Sequence, residues 1–398
     1  MLRHIRVLAG SLKPTAGSHI YNRELIRRLA ARENRLSVVS FDDGDEDWGD
    51  VEVTCLPRRD WNAIPAAWRF ATTLQGLQSR RDIASASLDE PDVVIATEHL
   101  FLKPHARRFP RTPWLYLPHS LVIAHEIDSY GMVGLQHRLT RHFYIKQQQW
   151  ALRQSSTIVR FNQSATNALH KFYGATALQA PVLINPPGID LPETTLPDRL
   201  REPDSALRLL FVGRLVASKN LKFVLHSLAN HRGANWTLDV VGDGPEFGEC
   251  AELVRQLQLS SQVSMTGHQT KTDECYGKAD LLLFPSKLES LGLVVLESMA
   301  HGTPALVIHE DGNQYRVPFS EVIENGVTGL VADDENDFAR RLADVIAKPE
   351  QLSVLSTNSQ AQIRQHYTWD EHLNCFDKHI DKLLGQAPSP KVSTAVSG

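Results

Sequence analysis

Two cations follow an apolar, β-rich run in the second half of the chain. The run at 207–212 is predicted to be a buried strand that ends just before Gly213. Arg214 then lies in a turn, and Ser218 is a candidate cap for a helix that begins near Lys219. Arg can bind two oxygens at once and Lys supplies a compact charge, so the pair suits a diphosphate at a helix amino terminus. The alternative is a turn with two solvated cations.

Two glutamates form the second candidate group. Glu289 follows the predicted strand 280–284, and Glu297 lies eight residues later in a predicted helix that Ser290 could cap. If 289–297 were wholly helical, both carboxylates would lie on one side, separated by a rise of about 12 Å. A glycosidase needs carboxylates roughly 5–9.5 Å apart, so this spacing favours two separate hydroxyl clusters on one elongated ligand. The alternative is a helix-capping Glu and a solvated helix Glu.

Two weaker signals lie in the first half. His119 follows a predicted strand at 113–117, where it could serve a site or be a hydrogen-bonded structural histidine. The acidic run at 42–47 contains an Asp-x-Asp spacing of a kind found in metal sites, but it lies in a polar loop. We interpret this run as solvated charge and predict no metal site.

These residues require a scaffold that brings strand ends together. The chain alternates β-rich apolar runs with amphipathic helical stretches, which is typical of parallel α/β architecture. The predicted strands of the first half are 4–9, 36–41, 92–96, 113–117 and 156–160, and the predicted helices are 18–32, 61–80, 134–153 and 163–172. In the second half the predicted strands are 207–212, 237–241, 280–284 and 305–308, and the helices are 219–230, 246–259, 291–301 and 335–347.

A proline-rich segment divides the two halves. Residues 185–206 contain five prolines and no apolar period, which predicts an interdomain linker. We therefore expect an α/β protein with two Rossmann-like, doubly wound domains facing across a cleft. The full prediction is a first domain at 1–190, a linker at 191–206, a second domain at 207–368, a helix at 369–384 that returns to the first domain, and a flexible tail at 385–398.

Length and composition limit the class of protein. With 398 residues the chain is about two domains long, and its 42% hydrophobic and 22% charged residues are typical of a soluble globular protein. No run approaches the roughly 18 apolar residues that a membrane-spanning helix needs, and no signal-peptide pattern is present. The four cysteines are widely spaced, which argues against structural zinc and suits a reducing compartment. We expect a cytoplasmic protein.

The charge is distributed unevenly. Residues 1–190 contain 23 Lys and Arg against 18 Asp and Glu, whereas the chain as a whole has a net charge of −4. An overall acidic protein without a continuous basic stripe is not expected to bind nucleic acid. The basic first half could meet an anionic acceptor or a membrane. Within it, the stretch 58–81 spaces Trp61 and Trp68 for one helical face, which predicts a sheet-covering helix, with peripheral contact at the inner face of the membrane as the alternative.

The chain resembles the family 4 retaining glycosyltransferases, which have the GT-B fold of two Rossmann-like domains. The resemblance covers nearly the whole chain and depends on the order and spacing of several motifs. These motifs are Pro14-Thr-Ala-Gly-Ser18, Tyr116-Leu-Pro-His-Ser120, Asn185-Pro-Pro-Gly-Ile-Asp190, Gly213-Arg214 with Lys219, Gly242-Asp-Gly-Pro245, Gly267-His268, Glu289 with Glu297, and Glu324-Asn-Gly-Val-Thr-Gly-Leu330. Two features depart from the family pattern: the first loop reads Ala16-Gly17-Ser18 where many members have two glycines, and residues 309–319 insert a polar stretch that we interpret as a specificity element.

The resemblance implies a role for each matching residue. Arg214 and Lys219 would bind the donor diphosphate, while Glu289 would bind the donor sugar and Glu297 the nucleotide ribose. The implied catalytic residues are His119, Glu289, Arg214 and Lys219. The implied donor-binding residues are Gly17, Gly213, Arg214, Lys219, Gly267, His268, Glu289, Ser290, Leu291, Gly292 and Glu297.

The resemblance thus implies a hexosyltransferase that moves a sugar from a nucleotide-diphosphate sugar, of the UDP or GDP type, to a hydroxyl acceptor with retained configuration. Such an enzyme would act in glycan, glycolipid or glycoconjugate biosynthesis, without a cofactor or a metal. The resemblance also implies that the first domain, 1–190, binds the acceptor and that the second domain, 207–368, binds the nucleotide-sugar donor. The acceptor could be lipid-linked or anionic. Another GT-B enzyme, such as a nucleotide-sugar epimerase or a phosphorylase, and a non-catalytic nucleotide-sugar-binding protein remain alternatives.

Overall fold

The fold was analysed on a computed structural model. The residues that it describes are 2–13, 17–56, 81–119, 134–174, 178–192, 205–289, 292–311, 314–315 and 317–385. They form two compact units, of which the second comprises Asn162–Ser164 and Pro186–His372 and the first comprises the rest. The units therefore divide between Asn185 and Pro186, a few residues before the boundary at 190 that we predict from the sequence.

The first unit is built on a seven-stranded sheet in which all recorded strand pairs are parallel, with the order β3-β2-β1-β4-β5-β6-β7. Its strands are β1 (Arg3–Leu8), β2 (Asn34–Ser40), β3 (Glu52–Cys55), β4 (Val93–Ala96), β5 (Trp114–Tyr116), β6 (Thr157–Arg160) and β7 (Val182–Ile184). The fully described helices in this part of the chain are α1 (Gly17–Ala30), α2 (His99–Arg108), α3 (Gly134–Gln154) and α4 (Gln163–Tyr173).

The second unit contains a six-stranded parallel sheet with the order β10-β9-β8-β11-β12-β13. Its strands are β8 (Leu207–Val212), β9 (Trp236–Val241), β10 (Val263–Gly267), β11 (Leu281–Phe284), β12 (Ala305–Ile308) and β13 (Leu330–Ala332). The helices are α5 (Leu221–Ala229), α6 (Phe247–Gln256), α7 (Asp273–Lys278), α8 (Leu293–Ala300), α9 (Phe319–Val322), α10 (Glu335–Ala347) and α11 (Leu352–His366), and the final helix α12 (Trp369–Gly385) begins in this unit.

Both sheets confirm the predicted α/β class with two Rossmann-like units. Central strands are buried on both faces because helices cover each side, so they appear in the sequence as unbroken apolar runs, as in β4 and β11. The strands that the sequence analysis missed, β3, β7, β10 and β13, are the four edge strands. They have three to five residues each, and β3 and β7 are partly exposed, so they lack the apolar run by which a buried strand is recognised.

The carboxyl-terminal helix α12 packs on the first unit through most of its length. Arg3 donates hydrogen bonds to Asp377 and Asp381 of this helix, and Thr157 lies 2.7 Å from the His379 ring. The side chains of Phe376 and Ile380 are fully buried. A helix at this position was predicted from the sequence, and it extends to Gly385.

Two further expectations concern the surface. The predicted helix 61–80 and the Trp/Arg stretch 58–81 lie, apart from Arg81, outside the described residues. Among the residues that are described, no helix has the length and apolar character required to cross a membrane. The acidic run is not free charge, because Asp42 accepts hydrogen bonds from the Ser11 hydroxyl and the Leu12 amide at 2.6 and 2.8 Å, and Glu46 forms ion pairs with Arg23 and Arg27.

Candidate functional site

The order of the second sheet reverses at its centre. Strands β9 and β10 lie on one side of β8, whereas β11, β12 and β13 lie on the other. The loops that follow β8 and β11 therefore leave the sheet in neighbouring positions at its carboxyl edge, which is where open α/β sheets bind ligands. The two loops are bonded to each other, since the Lys287 amide donates to the Ser218 carbonyl at 2.7 Å, and the Ser286 hydroxyl oxygen lies 3.3 Å from the same carbonyl oxygen.

This connection brings Lys219 and Glu289 together. The Lys219 ammonium donates a hydrogen bond to Glu289 Oε1, and the buried Ser286 hydroxyl donates to the same oxygen at 2.9 Å. Lys219 Nζ also lies 5.3 Å from the centre of the Phe284 ring, which favours a cation there. The two charged side chains are only 19% and 13% exposed, so the pair is held largely within the protein at the end of β11.

Arg214 lies on the same loop and its side chain is exposed. It follows Gly213, whose amide donates to the Val241 carbonyl at 3.0 Å and so continues the pairing of β8 with β9. The loop therefore carries one exposed cation and one cation that is already paired with a carboxylate. An anionic ligand here would meet Arg214 directly and would compete with Glu289 for Lys219.

Local details of both loops differ from the sequence predictions. The helix after β8 begins at Leu221, not near Lys219, and Ser218 is not its cap: residues Ala217–Lys219 form a 3-10 turn, and Asn220 precedes the helix in a left-handed conformation. Glu289 is not helical, because the helix that carries Glu297 starts only at Leu293. The rise of about 12 Å for one continuous helix therefore does not describe the two glutamates.

Gly292 precedes this helix and cannot be replaced without strain. Its φ is +75°, and a Cβ added there would lie 2.5 Å from the Phe319 ring. No side-chain hydrogen bond within the described residues caps the helix at this point. Ser290 and Leu291 lie outside the described residues.

The loop after β9 supports the loop after β8. A Cβ on Gly242 would lie 1.9 Å from the Gly213 carbonyl oxygen, so the backbone can approach this closely only because residue 242 is glycine. Asp243 accepts a hydrogen bond from the Leu215 amide at 2.9 Å through its carbonyl oxygen. The motif Gly242-Asp-Gly-Pro245 therefore holds the backbone of the Arg214 turn.

Gly267 and His268 are close to this loop in the fold. Gly267 ends β10, and its carbonyl accepts a hydrogen bond from the Gly242 amide at 2.8 Å. The side chain of His268 is exposed. The structure places these two residues beside the loop after β9, which in turn contacts the Arg214 turn.

Glu297 has a different environment from Glu289. The Tyr276 hydroxyl donates to its carboxylate at 2.8 Å. Burial raises the pKa of Glu297 above its usual value, the Tyr276 hydrogen bond opposes this shift, and the negative charges of Asp273 and Asp190 add to the rise. Tyr276 is a partner that the sequence analysis missed, because a tyrosine 21 residues earlier on another helix carries no local signal of this contact.

Tyr315, in the polar stretch 309–319, contacts the loop that carries Lys219. Tyr315 is buried, and its hydroxyl donates to Glu335 at 2.8 Å while accepting from Asn220 at 3.3 Å. Asn220 is the left-handed residue directly after Lys219. The stretch thus supports the loop that carries Lys219, and its interpretation as a specificity element stays a prediction.

His119 lies in the first unit, after β5. Its Nε2 donates to Asn22 Oδ1 at 2.9 Å, and its ring packs edge-on against Tyr21 with centroids 5.2 Å apart. Burial, helped by the nearby His19 and Arg160, lowers the pKa of His119 from 6.5 to about 3. The imidazole is therefore neutral at physiological pH. Gly17 is the first residue of α1, the helix that carries Tyr21 and Asn22.

His119 also lines a cavity of about 130 Å³ in the first unit. The cavity lies where the order of the first sheet reverses, between β1 and β4. Gly10 follows β1 and Thr97–His99 follow β4, so the loops around the cavity leave the carboxyl ends of neighbouring strands. Asn22, Glu98 and His99, which the sequence analysis did not single out, line the same cavity.

Two family models match most of the chain. The model described as Glycosyltransferase Family 4 matches residues 15–193, and the model described as Glycosyl transferases group 1 matches residues 193–362. They meet at the proline-rich segment that joins the two units.

The curated relatives match over part of their length. A stretch of 94 residues, 24% of this chain, is 39% identical to N-acetyl-alpha-D-glucosaminyl L-malate synthase of Bacillus anthracis and covers 23% of that protein. A longer alignment of 243 residues is 27% identical to D-inositol 3-phosphate glycosyltransferase of Rhodococcus erythropolis, covering 56% of this chain and 53% of that enzyme. The aligned part of the chain thus spans about half or less of the length of these relatives.

Solved structures match over nearly the whole chain. Sucrose-phosphate synthase from Thermosynechococcus elongatus gives a TM-score of 0.73 at 19% identity, with 96% of this chain and 99% of that chain covered. Anabaena HepE in complex with UDP and glucose gives a TM-score of 0.68 at 18% identity, covering 96% of this chain and 100% of that one. At this level of identity the likeness shows the fold, which is that of the GT-B glycosyltransferases.

Proposed function

The chain belongs to the family 4 glycosyltransferases, and we propose that it transfers a sugar from a nucleoside-diphosphate sugar to a hydroxyl group of an acceptor with retention of anomeric configuration. The observation that carries the proposal is the group formed by Arg214, Lys219 and Glu289 at the reversal point of the second sheet. It combines fixed positive charge with a carboxylate able to accept hydrogen bonds from sugar hydroxyls.

The cations match the place where negative charge grows during transfer. When the bond between the anomeric carbon and the diphosphate oxygen breaks, the electron pair stays on the diphosphate. Arg214 and Lys219 would stabilise that charge, together with the amides at the start of α8. Lys219 reaches the diphosphate by leaving Glu289, which frees the Glu289 carboxylate for the donor sugar.

Retention follows in this scheme from attack on the face that the diphosphate leaves. The acceptor oxygen forms the new bond to the anomeric carbon, and its proton passes to the departing diphosphate oxygen. His119, neutral because of its lowered pKa, would lie near the reacting sugar as a hydrogen-bonding group and not as a charge.

We propose a UDP-type donor as the first to test. HepE, a structural neighbour, has been solved with UDP and with UDP-glucose. Glu297 would bind the ribose, and Gly267 with His268 would lie beside the base. Relatives named for L-malate and D-inositol 3-phosphate differ widely in acceptor, so the acceptor class is left to direct measurement.

The experiment is release of nucleotide from UDP-, GDP- and ADP-sugars by the purified full-length chain, with water as the acceptor. We expect slow hydrolysis of one class, and NMR of the product sugar or glycoside should show the α configuration retained from an α-linked donor. A donor that binds without ever being cleaved would instead indicate a nucleotide-sugar-binding protein. Inversion at the anomeric carbon would rule out the front-face scheme.

The proposal includes independence from divalent metal. Arg214, Lys219 and helix amides already supply positive charge, so activity should survive EDTA. Loss of activity in EDTA that manganese restores would show that a metal, and not these cations, neutralises the diphosphate.

A further inference from the structure

Three side chains of the second unit close a hydrogen-bonded triangle beside the loop that carries Lys219. The Tyr315 hydroxyl donates to Glu335 Oε1 at 2.8 Å. The Asn220 side-chain amide donates to the same carboxylate oxygen at 3.2 Å and to the Tyr315 hydroxyl oxygen at 3.3 Å. Each member of this Asn220–Tyr315–Glu335 triangle is therefore bonded to the other two.

The triangle joins segments that follow different strands of the sheet. Asn220 lies after β8, Tyr315 lies after β12, and Glu335 is the first residue of α10, after β13. Lys287, after β11, places its ammonium 3.6 Å from Glu335 Oε1. The four strands lie side by side in the order β8-β11-β12-β13. The triangle therefore connects the carboxyl ends of all four strands at the edge where open α/β sheets bind ligands.

Asn220 determines how the chain passes from Lys219 into α5. Its φ is +64°, a left-handed conformation that is unfavourable for residues with a Cβ, although Asn tolerates it better than most. The Lys219 amide donates to the Val216 carbonyl at 2.9 Å, and the Asn220 amide donates to the Ala217 carbonyl at 3.2 Å. Because the next residue begins α5, a change at Asn220 would move the turn that carries Lys219 relative to the helix.

Tyr315 is a fixed hydrogen-bonding group. Its side chain is buried, and burial together with the hydrogen bond to Glu335 raises its pKa above the usual value, so the hydroxyl keeps its proton. Its backbone is also held, since the Tyr315 amide donates to Asp311 Oδ1 at 2.8 Å and the Asp311 amide donates to the Tyr315 carbonyl at 3.2 Å. The polar stretch 309–319 thus presents an immobile hydroxyl to Asn220.

We propose that Tyr315 and Glu335 are positioning residues for Lys219, which hold Asn220 and thereby fix the place of the Lys219 ammonium beside the donor diphosphate. The inference rests on the proposed glycosyltransferase function and gives the polar stretch 309–319 a part in the reaction without contact to the donor. Glu335 acts here through an acceptor oxygen and not through its charge, because both groups that donate hydrogen bonds to it are neutral.

The first test needs no ligand. Tyr315→Phe keeps the buried ring and removes only the hydroxyl, so it should fold. In the full chain, hydrogen–deuterium exchange at the Lys219 and Asn220 amides should become about fivefold faster, as for the loss of one hydrogen bond. Tyr173→Phe is the matched control, because it removes a hydroxyl that donates to Gln148 in the first unit, and it should leave these rates unchanged. Unchanged exchange in Tyr315→Phe would overturn the proposal.

The second test asks whether the place of Lys219 matters for the reaction. Tyr315→Phe should lower turnover at saturating donor about fivefold and weaken the binding of UDP, but it should leave the binding of uridine unchanged, since only the diphosphate meets Lys219. In a Lys219→Ala background, Tyr315→Phe should have no further effect on UDP affinity. An equal loss of affinity with and without Lys219 would show that Tyr315 acts on the structure in general, contrary to the proposal.

Variants of Glu335 separate the acceptor oxygen from the charge. Glu335→Gln keeps an oxygen that can accept from Asn220 and Tyr315, so exchange and turnover should stay within about twofold of wild type. Glu335→Ala removes that oxygen and should match Tyr315→Phe in both measurements. Equal losses in Glu335→Gln and Glu335→Ala would contradict the role assigned to the oxygen.

The outcomes distinguish this inference from the proposed function. If wild type cleaves no nucleotide sugar and binds UDP, GDP and ADP no more tightly than their nucleosides, the proposed function fails. Hydrogen exchange in Tyr315→Phe then still decides whether the triangle holds the Lys219 turn. If wild type is active and Tyr315→Phe has unchanged turnover and UDP affinity, only the positioning role fails.

Discussion

In the second unit, the loops after β8 and β11 carry Arg214, Lys219 and Glu289, whereas in the first unit the loops after β1, β4 and β5 surround a neutral histidine and Glu98. Both groups occupy the same topological position, where the strand order of a parallel sheet reverses. The fold therefore supplies the location of each site, and the side chains in the loops decide its electrostatics.

Under the proposed function, the difference in charge would suit the second unit to the donor diphosphate and the first unit to the acceptor. A diphosphate carries several negative charges and needs Arg and Lys, while a hydroxyl acceptor needs hydrogen-bond acceptors and no net charge. The Lys219–Glu289 pair also shows that the cationic group is partly neutralised by its own protein. The neutral His119 needs no such counterion, because burial already removes its proton.

Removal of a cation from the second unit should have the largest effect and tests whether the positive charge there serves the reaction. Lys219→Ala or Arg214→Ala should lower turnover at saturating donor by about 10²–10³, as for loss of a group that stabilises a developing oxyanion, and should weaken donor binding less. Turnover and calorimetric Kd give the two quantities. Lys222→Ala is the control, since this cation pairs with Glu246 and Glu249 and not with Glu289, and it should be silent. If Lys219→Ala and Arg214→Ala both kept wild-type turnover, Arg214 and Lys219 would be ordinary turn residues without a part in the reaction.

Removal of the Glu289 charge should have opposite effects on the affinity for UDP and on the turnover of the sugar nucleotide. Glu289→Gln frees Lys219 from its ion pair, so UDP alone should bind up to about fivefold more tightly, as expected for an ion pair worth up to about 1 kcal/mol. Turnover of the sugar nucleotide should nevertheless fall about a hundredfold, because the sugar loses its orienting carboxylate.

The comparison variant is Ser286→Ala, which removes a hydrogen bond to Glu289 but keeps the ion pair, and it should change both quantities less. Calorimetry with UDP and kinetics with the intact donor measure the two effects. Weaker UDP binding in Glu289→Gln would contradict competition between Glu289 and the diphosphate.

Glu297 should contribute to the affinity for the donor more than to turnover. Glu297→Gln is expected to raise the donor Kd about tenfold, because a hydrogen bond to a charged group is lost, while turnover at saturation changes little. Burial raises the pKa of Glu297. When the solution is acidified, the donor affinity of the wild type should therefore begin to fall at a higher pH than it would if this glutamate had an ordinary pKa. Glu274→Gln, an exposed acid on α7, provides the control. A large loss of turnover in Glu297→Gln would show that this glutamate acts on the reacting bond.

The buried histidines of the first unit predict how stability depends on pH. The pKa of His119 and that of His105 are both lowered to about 3, so between about pH 3 and 6.5 the unfolded chain binds more protons than the folded one. Stability should rise with pH through this window, by up to about 1.4 kcal/mol per pH unit for each histidine, and be fully present above it.

Substitution separates the two histidines. Tm measured from pH 4 to 7 should show a smaller slope in both His119→Gln and His105→Gln, but only the His119 variant should lose transfer activity. An unchanged slope in His119→Gln would mean that His119 is not held neutral by the fold.

Much of this organisation could be read from the order of residues alone. Buried central strands such as β4 and β11 are continuous apolar runs, and the helix at Glu335–Ala347 has both a capping Asp334 and a regular apolar face. Motif spacing likewise placed Arg214 and Lys219 after a strand. The edge strands β3 and β7 were missed because their residues are largely exposed, so packing imposes little pattern on them, and the buried edge strand β13 has only three residues.

Only the tertiary structure decided which side chains meet. Lys219 and Glu289 are 70 residues apart, and Glu98 and His119 reach one cavity from different strands. Contacts of this kind depend on strand order, which a local pattern does not encode, because the partner of each loop is set by which strands lie side by side. The sequence by itself determined the α/β class, the two units and the residue types available for chemistry. The lowered pKa of His119 and the ion pair at Glu289 arise from burial and proximity, which exist only once the chain is folded.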